Sequence, residues 1–348
     1  MLYNNLNIFD RDDVLKASRF LLSLFLIITA ICICGCENTD RYSTEFFSMD
    51  TVMTITAYGE NSESAVRLAQ SEIEYLNSLL SIEDENSEIY RLNRDKTLEV
   101  SPDTQEIIER AYEISKLTDG DFDITVLPLV REWGFYTDLE KKVPSQEAID
   151  NALANVDYNN IQTGKTITLG EETEIDLGGI AKGYASHSAM QILKKNGVES
   201  AILSLGGNVR AVGTKPDGSL WTVAIADPDD ASQQIGCVSV KDSAVVTSGG
   251  YQRYFEDNGQ IYHHIIDTKT GYPADSGLKS VTIVSDDDTL ADALSTALYV
   301  KGLEKATEFY RENPNFEAVF VTDNGEIYVT SGLADSFTSD RNFEVIDI

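Results

Sequence analysis

Strand-like and helix-like stretches alternate along this chain without a strict βαβ rhythm, and that pattern limits the fold more than any other feature. Residues 51–58 (TVMTITAY) alternate in the manner of a strand. Residues 60–80 place Ala65, Val66, Ala69, Ile73, Leu76 and Leu80 on one helical face. Further helices are expected over 105–117, opened by Ser101-Pro102, and over 183–196, stopped by Gly197. Short helices are expected over 291–300, capped by Gly302, and over 303–312. Strands are expected over 200–205, 209–212, 221–226, 236–240, 244–247, 260–266, 279–285, 318–322 and 327–330. Gly206-Gly207-Asn208 and Asp323-Asn324-Gly325 read as hairpin turns. The fold class is α+β, mostly antiparallel sheet with helices packed outside.

The amino terminus reads as an address. Residues 20–33 form an uncharged apolar run preceded by Lys16 and Arg19. Fourteen residues is short for a bilayer span and suits the apolar core of a signal peptide. The run ends Ile33-Cys34-Gly35-Cys36, which resembles a bacterial lipobox. The expected organisation is a signal peptide over 1–35, a polar tether over 36–44 and one domain over 45–348. Cys36 would carry the lipid and hold the protein on the outer face of the cytoplasmic membrane. Only Cys237 would then remain free, so no intramolecular disulfide is expected and the core must hold the fold.

The chain of 348 residues carries 27 basic and 58 acidic side chains, a formal charge of −31. That balance argues against a nucleic-acid partner and against charge-driven adhesion to anionic lipid. Three histidines and four cysteines argue against a His/Cys zinc site. Gly164-Lys165-Thr166 imitates a P-loop, but Asn159 stands where the first glycine is required. No Rossmann fingerprint, H-E-x-x-H or G-x-S-x-G is present.

Four segments carry candidate chemistry. Asp176-Leu-Gly-Gly-Ile-Ala-Lys-Gly183 reads as a strand ending at Asp176, a glycine turn and a helix start, with Lys182 beside free N–H groups. Thr247-Ser248-Gly249-Gly250 precedes Arg253 among tyrosines, a setting for a phosphate or a flat ring. His263 and His264 lie on opposite sides of a strand that ends in a turn over 267–273. Asp292 and Thr296 share a helix face, with Ser295 beside them, an oxygen-only set suited to Mg²⁺. Each also has a plain structural reading: a capped turn, a surface strand, a structural histidine, a solvated helix start.

Together with Ser87-Glu-Ile-Tyr-Arg-Leu-Asn93, Gly120-Asp-Phe-Asp-Ile-Thr125, Pro128 and Trp133-Gly-Phe135, these segments resemble the ApbE family of flavin transferases. The resemblance implies a two-subdomain intertwined architecture and an enzyme that takes FAD as substrate with Mg²⁺. It implies flavin-site roles for Met49, Asp121, Phe122, Asp123, Asp176, Lys182 and Ile266, with Arg253 as added positive charge. Asp50 departs from the family's glycine after the methionine. Gly179 matches a carbonyl metal ligand, Asp292 and Thr296 match side-chain ligands, and Ser295 stands where some members carry another ligand. His264 matches a histidine that assists transfer, with Asp267 nearby as an alternative proton acceptor. Glu83 occupies a position often held by a stacking aromatic. The implied reaction moves FMN from FAD onto a Thr or Ser hydroxyl of another protein, releasing AMP. The chain lacks the family's acceptor motif. By analogy, acceptors are Rnf- or Nqr-type subunits or extracytoplasmic flavoproteins. The alternatives are a Mg²⁺-dependent FAD pyrophosphatase and a non-catalytic flavin-binding lipoprotein.

Overall fold

A nine-stranded sheet runs through the molecule with its strands in chain order. The computed structural model describes residues 40–136 and 140–347. The expected signal peptide and Cys36 lie outside these. The strands are β1 (Arg41–Ser48), β2 (Thr51–Tyr58), β3 (Ser200–Leu205), β4 (Asn208–Gly213), β5 (Ala244–Gly249), β6 (Leu278–Ser285), β7 (Glu317–Thr322), β8 (Ile327–Thr330) and β9 (Phe343–Ile346). Each pairs antiparallel with the next except β8 and β9, which run parallel. The helices are α1 (Ser62–Leu80), α2 (Glu88–Asp95), α3 (Pro102–Leu117), α4 (Leu127–Glu132), α5 (Gln146–Leu153), α6 (Ala181–Lys195) and α7 (Asp288–Glu312). Among the described residues no helix is long and apolar enough to cross a membrane.

Two cores share the middle strands because successive side chains of a strand face opposite ways. Val246, Ile283, Ala318 and Phe320 face α7 in the main cluster, which also takes in the apolar faces of α1 and α6. Val245, Val284, Val319 and Val321 face the other way, onto the small sheet of Trp221–Ala226, Gln234–Val240 and Phe337–Thr338. A third cluster joins Leu129, Trp133, Ile149 and Ile266, beneath the hairpin of Tyr254–Asp257 and Gln260–His263. Trp133 Nε1 donates to Gly271 O at 2.8 Å, tying the turn after that hairpin to the helical segment below it.

The structure corrects several expectations. Arg41–Thr44 are strand rather than tether, since β1 pairs with β2 along its whole length. The chain approaching Asp176 is not a strand. Asn93 replaces a strand partner there: its Oδ1 accepts from Ile175 N at 2.7 Å and its Nδ2 donates to Ile175 O at 2.8 Å. Helix α7 begins at Asp288, because Asp287 Oδ1 caps Leu290 N at 2.9 Å. Its break at Gly302, whose φ of 75° is not helical, falls where the sequence reading divides it. The strand expected over 260–266 ends at His263, and Ile266 makes an isolated bridge to Pro273. Helices α2, α4 and α5 have no counterpart in the sequence reading.

Candidate active site

One cleft, with a cavity volume of about 930 Å³, opens beside the N-terminus of α6. Segments distant in sequence meet there, among them the β1–β2 turn, residues 121–124, the glycine turn 176–182, the end of β5, residues 264–268 and the first turns of α7.

The glycine turn and α7 are in direct contact. Gly183 N donates to Asp292 Oδ2 at 2.8 Å. A Cβ on Gly183 would lie 2.4 Å from Asp288 O and 2.7 Å from Asp292 Cβ, so glycine permits this approach. A Cβ on Gly179 would lie 3.9 Å from Thr296 Oγ1. Asp292, Thr296, Gly179 and Lys182 therefore line one cleft. The N-cap residue Ile180 offers no capping side chain; Ala181 N donates to Leu177 O at 2.8 Å, Gly183 N is taken by Asp292, and Ala181 and Lys182 border the cavity. The positive end of the helix dipole there favours an anion.

No group of three or more His, Cys, Asp or Glu able to hold an ion occurs among the described residues. One carboxylate, one hydroxyl and one nearby backbone carbonyl remain. That set fits a hard cation that keeps waters and takes further ligands from phosphates. Ser295 does not border the cleft. Its buried hydroxyl bonds Ser248 Oγ and Asp292 O, each at 2.7 Å. Ser248 does border the cleft, 3.3 Å from Thr296 Oγ1, so Ser295 supports this wall from behind.

Asp176 sits where burial raises its carboxyl from the ordinary value. Gly178 N–H, bonded at 2.8 Å, and the charges of Lys182, Arg253 and Arg131 pull it back down. Arg253 is exposed, borders the cleft and has no ion pair among the described residues. His264 also borders the cleft, and burial holds its ring down to about 4, with the charges of Arg253, His263 and Lys182 acting the same way. The ring is neutral at pH 7. Its Nδ1 lies 3.2 Å from Arg253 O, which can only accept. Nδ1 thus carries the hydrogen and Nε2 keeps a lone pair. His263 turns away, to Ala274 O at 3.0 Å.

Asp267 does not line the cleft. Its carboxylate accepts from Lys269 N at 2.8 Å and shapes the turn. Asp123 borders the cavity, but its oxygens bond Thr125 N at 2.8 Å, Thr125 Oγ1 at 2.7 Å and Tyr158 N at 2.9 Å, which makes it a brace. Asp121 pairs with Lys269 at 2.8 Å and with Lys301. Phe122, Ile266 and Met49 give apolar lining. Met49 and Asp50 both have positive φ, 48° and 58°, in a two-residue hairpin turn. A glycine at position 50 is thus explained by backbone geometry.

The sequence reading missed Tyr136, Tyr251 and Asn208, all of which border the cleft. Tyr136 donates to Ile82 O at 2.7 Å, and its ring lies 5.6 Å from the Arg131 guanidinium. Burial and Glu83 push its hydroxyl up to about 12. Tyr136 thus brings an aromatic residue to the same cleft that Glu83 lines. The signal available was its place directly after Trp133-Gly134-Phe135.

Comparison with known proteins bears on this architecture. The ApbE family model matches residues 49–320. A FAD:protein FMN transferase of Klebsiella pneumoniae is 32% identical, over 88% of this chain and 97% of the relative. One from Treponema pallidum is 30% identical, over 90% of this chain and 93% of the relative. The crystal structure of the ApbE protein from Thermotoga maritima superposes with a TM-score of 0.79 at 34% identity, covering 84% of this chain and 97% of that one. Flavin transferase ApbE from Vibrio cholerae superposes with a TM-score of 0.78 at 28% identity, covering 86% and 99%. With most of its length matched by the family model, and the glycine turn, the His264 turn and the α7 helix start meeting at one cleft, this chain belongs to the ApbE family.

Proposed function

We propose that this protein is a flavin transferase that moves the FMN half of FAD onto a Thr or Ser hydroxyl of an acceptor protein and releases AMP. The observation that carries this reading is the meeting of Asp292, Thr296, Gly179, Lys182, Arg253 and a neutral His264 around one cleft. The names of the relatives, FAD:protein FMN transferase, support it.

Asp292, Thr296 and the Gly179 carbonyl would hold Mg²⁺, which supplies neutralising charge to the diphosphate of FAD. Lys182, Arg253 and the positive N-terminal end of α6 bind the phosphates. The acceptor hydroxyl loses its proton to His264 Nε2 as its oxygen attacks the FMN phosphorus. An O–P bond forms, the bridging P–O bond breaks, and the bridging oxygen leaves on AMP. Apolar lining from Met49, Phe122 and Ile266 limits water at the flavin.

The chain carries no acceptor motif, so the acceptor is another protein. We place the enzyme at the outer face of the cytoplasmic membrane through a lipid on Cys36, which puts Rnf- or Nqr-type subunits within reach. Globomycin treatment, which blocks lipoprotein signal cleavage, should then accumulate the uncleaved form. Unchanged processing overturns the anchor.

The test of function is purified protein with FAD and Mg²⁺, with and without a threonine-bearing acceptor domain. Transfer predicts AMP release that depends on the acceptor and an acceptor heavier by one FMN less water. Rapid AMP release without the acceptor identifies a pyrophosphatase instead. Binding of FAD with no AMP under either condition contradicts both.

A further inference from the structure

Asn208 opens β4 directly after the Gly206-Gly207 turn and is only 4% exposed. It borders the cleft, yet its carboxamide makes no side-chain hydrogen bond among the described residues, and Nδ2 is buried without a partner. The position is fixed from two sides. Asn208 pairs with Leu205 in the sheet, and a Cβ on Gly206 would lie 2.5 Å from Thr51 Cγ2, so the turn sits against the start of β2.

A buried amide without a partner opposes folding, and a leucine of similar size would avoid that cost. An amide kept at such a place in a binding cleft is explained by a ligand that pairs with it. We infer that Asn208 binds the dinucleotide by the edge of one of its rings. This rests on the flavin-transferase reading and extends it. A carboxamide offers one acceptor and two donors in a plane. It matches a flat heteroaromatic edge on which N–H, ring nitrogen and C=O groups lie side by side, the geometry by which asparagine reads adenine. Phosphate is a poorer match, because Lys182 and Arg253 already bring full positive charge to the same cleft. Both halves of FAD have such an edge, the pyrimidinedione of the flavin and the N1/N6 side of adenine.

The experiment measures FAD, FMN and AMP binding by calorimetry, with melting of the ligand-free protein, for wild type, Asn208→Leu and Asn208→Ala. The expected result is FAD affinity weaker by about tenfold or more in both variants, the scale of leaving a ligand group unpaired. One of FMN and AMP should weaken by the same factor and the other stay within twofold, which names the ring. Ligand-free Asn208→Leu should melt no lower than wild type. If Asn208→Leu does not fold, Asn208→Ala decides by the same criteria. FAD affinity within twofold of wild type overturns the inference, as does equal weakening of FMN and AMP. A protein that binds FAD through Asn208 but transfers no FMN refutes the transfer reading and leaves this assignment standing.

Discussion

The backbone N–H of Gly183 donates to Asp292 Oδ2 at 2.8 Å, and this bond fastens the start of α6 to the second turn of α7. One carboxylate oxygen is thereby fixed, and no hydrogen bond engages Oδ1 among the described residues.

Gly183→Ala tests that contact. The added methyl would meet Asp288 O and the Asp292 side chain well inside van der Waals distance. Overpacking of this kind costs about 1–3 kcal/mol. Denaturant unfolding should show that loss, and the Mg²⁺ concentration for half-maximal AMP release should rise. Unchanged stability and Mg²⁺ response would show that the helices separate easily.

Behind Asp292 lies a buried ion pair. Arg210 Nη1 meets Asp288 Oδ2 at 2.7 Å, and Asp288 Oδ1 accepts from Ser186 Oγ at 2.7 Å. Removing one member of such a pair strands the other charge and costs about 3–5 kcal/mol. Asp288→Ala should be destabilised on that scale by urea unfolding. The double variant Arg210→Met with Asp288→Leu should recover most of it.

At the β1–β2 turn, Asp50 occupies a backbone conformation that glycine adopts freely. Asp50→Gly should stabilise by about 1 kcal/mol, the scale of a relieved left-handed residue. A higher melting temperature checks this, and a lower one would mean the Asp50 carboxylate has a stabilising contact.

For His264 the pH dependence has a definite sign. The folded ring titrates near 4 and the unfolded one near 6.5. Between these values the unfolded chain binds a proton that the folded ring refuses. This contribution to stability is therefore lost as pH falls from about 6.5 to about 4, then levels off. His264→Gln should flatten that part of the pH–stability curve. In the same variant transfer should slow by about 10²–10⁴-fold, the range of a lost general base. Wild-type transfer should not fall between pH 8 and 6 through this group.

Much of the sheet was legible because its strands alternate cleanly: 51–58, 200–205, 221–226 and 327–330 fall where the alternation puts them. The cleft-facing pair Asp292 and Thr296 on α7 was legible from i, i+4 spacing. The approach to Asp176 was not, since its backbone is satisfied by Asn93, 82 residues away. Asp267 lies among motif residues but serves the turn. Asn208 reaches the cleft only once distant segments pack, so spacing gave no sign of it, and Tyr136 was marked only by its place after Trp133-Gly134-Phe135. Arg41–Thr44 look polar because β1 is an edge strand whose alternate side chains are exposed.

The central claim is that a cation held by α7 and the glycine turn grips FAD while His264 prepares the acceptor. Co-expression with a threonine-bearing acceptor domain, followed by intact mass of that domain, tests it most directly. Wild type should add one FMN less water, and Asp292→Ala, equally folded, should add none. An acceptor flavinylated as fully by Asp292→Ala as by wild type would contradict the account.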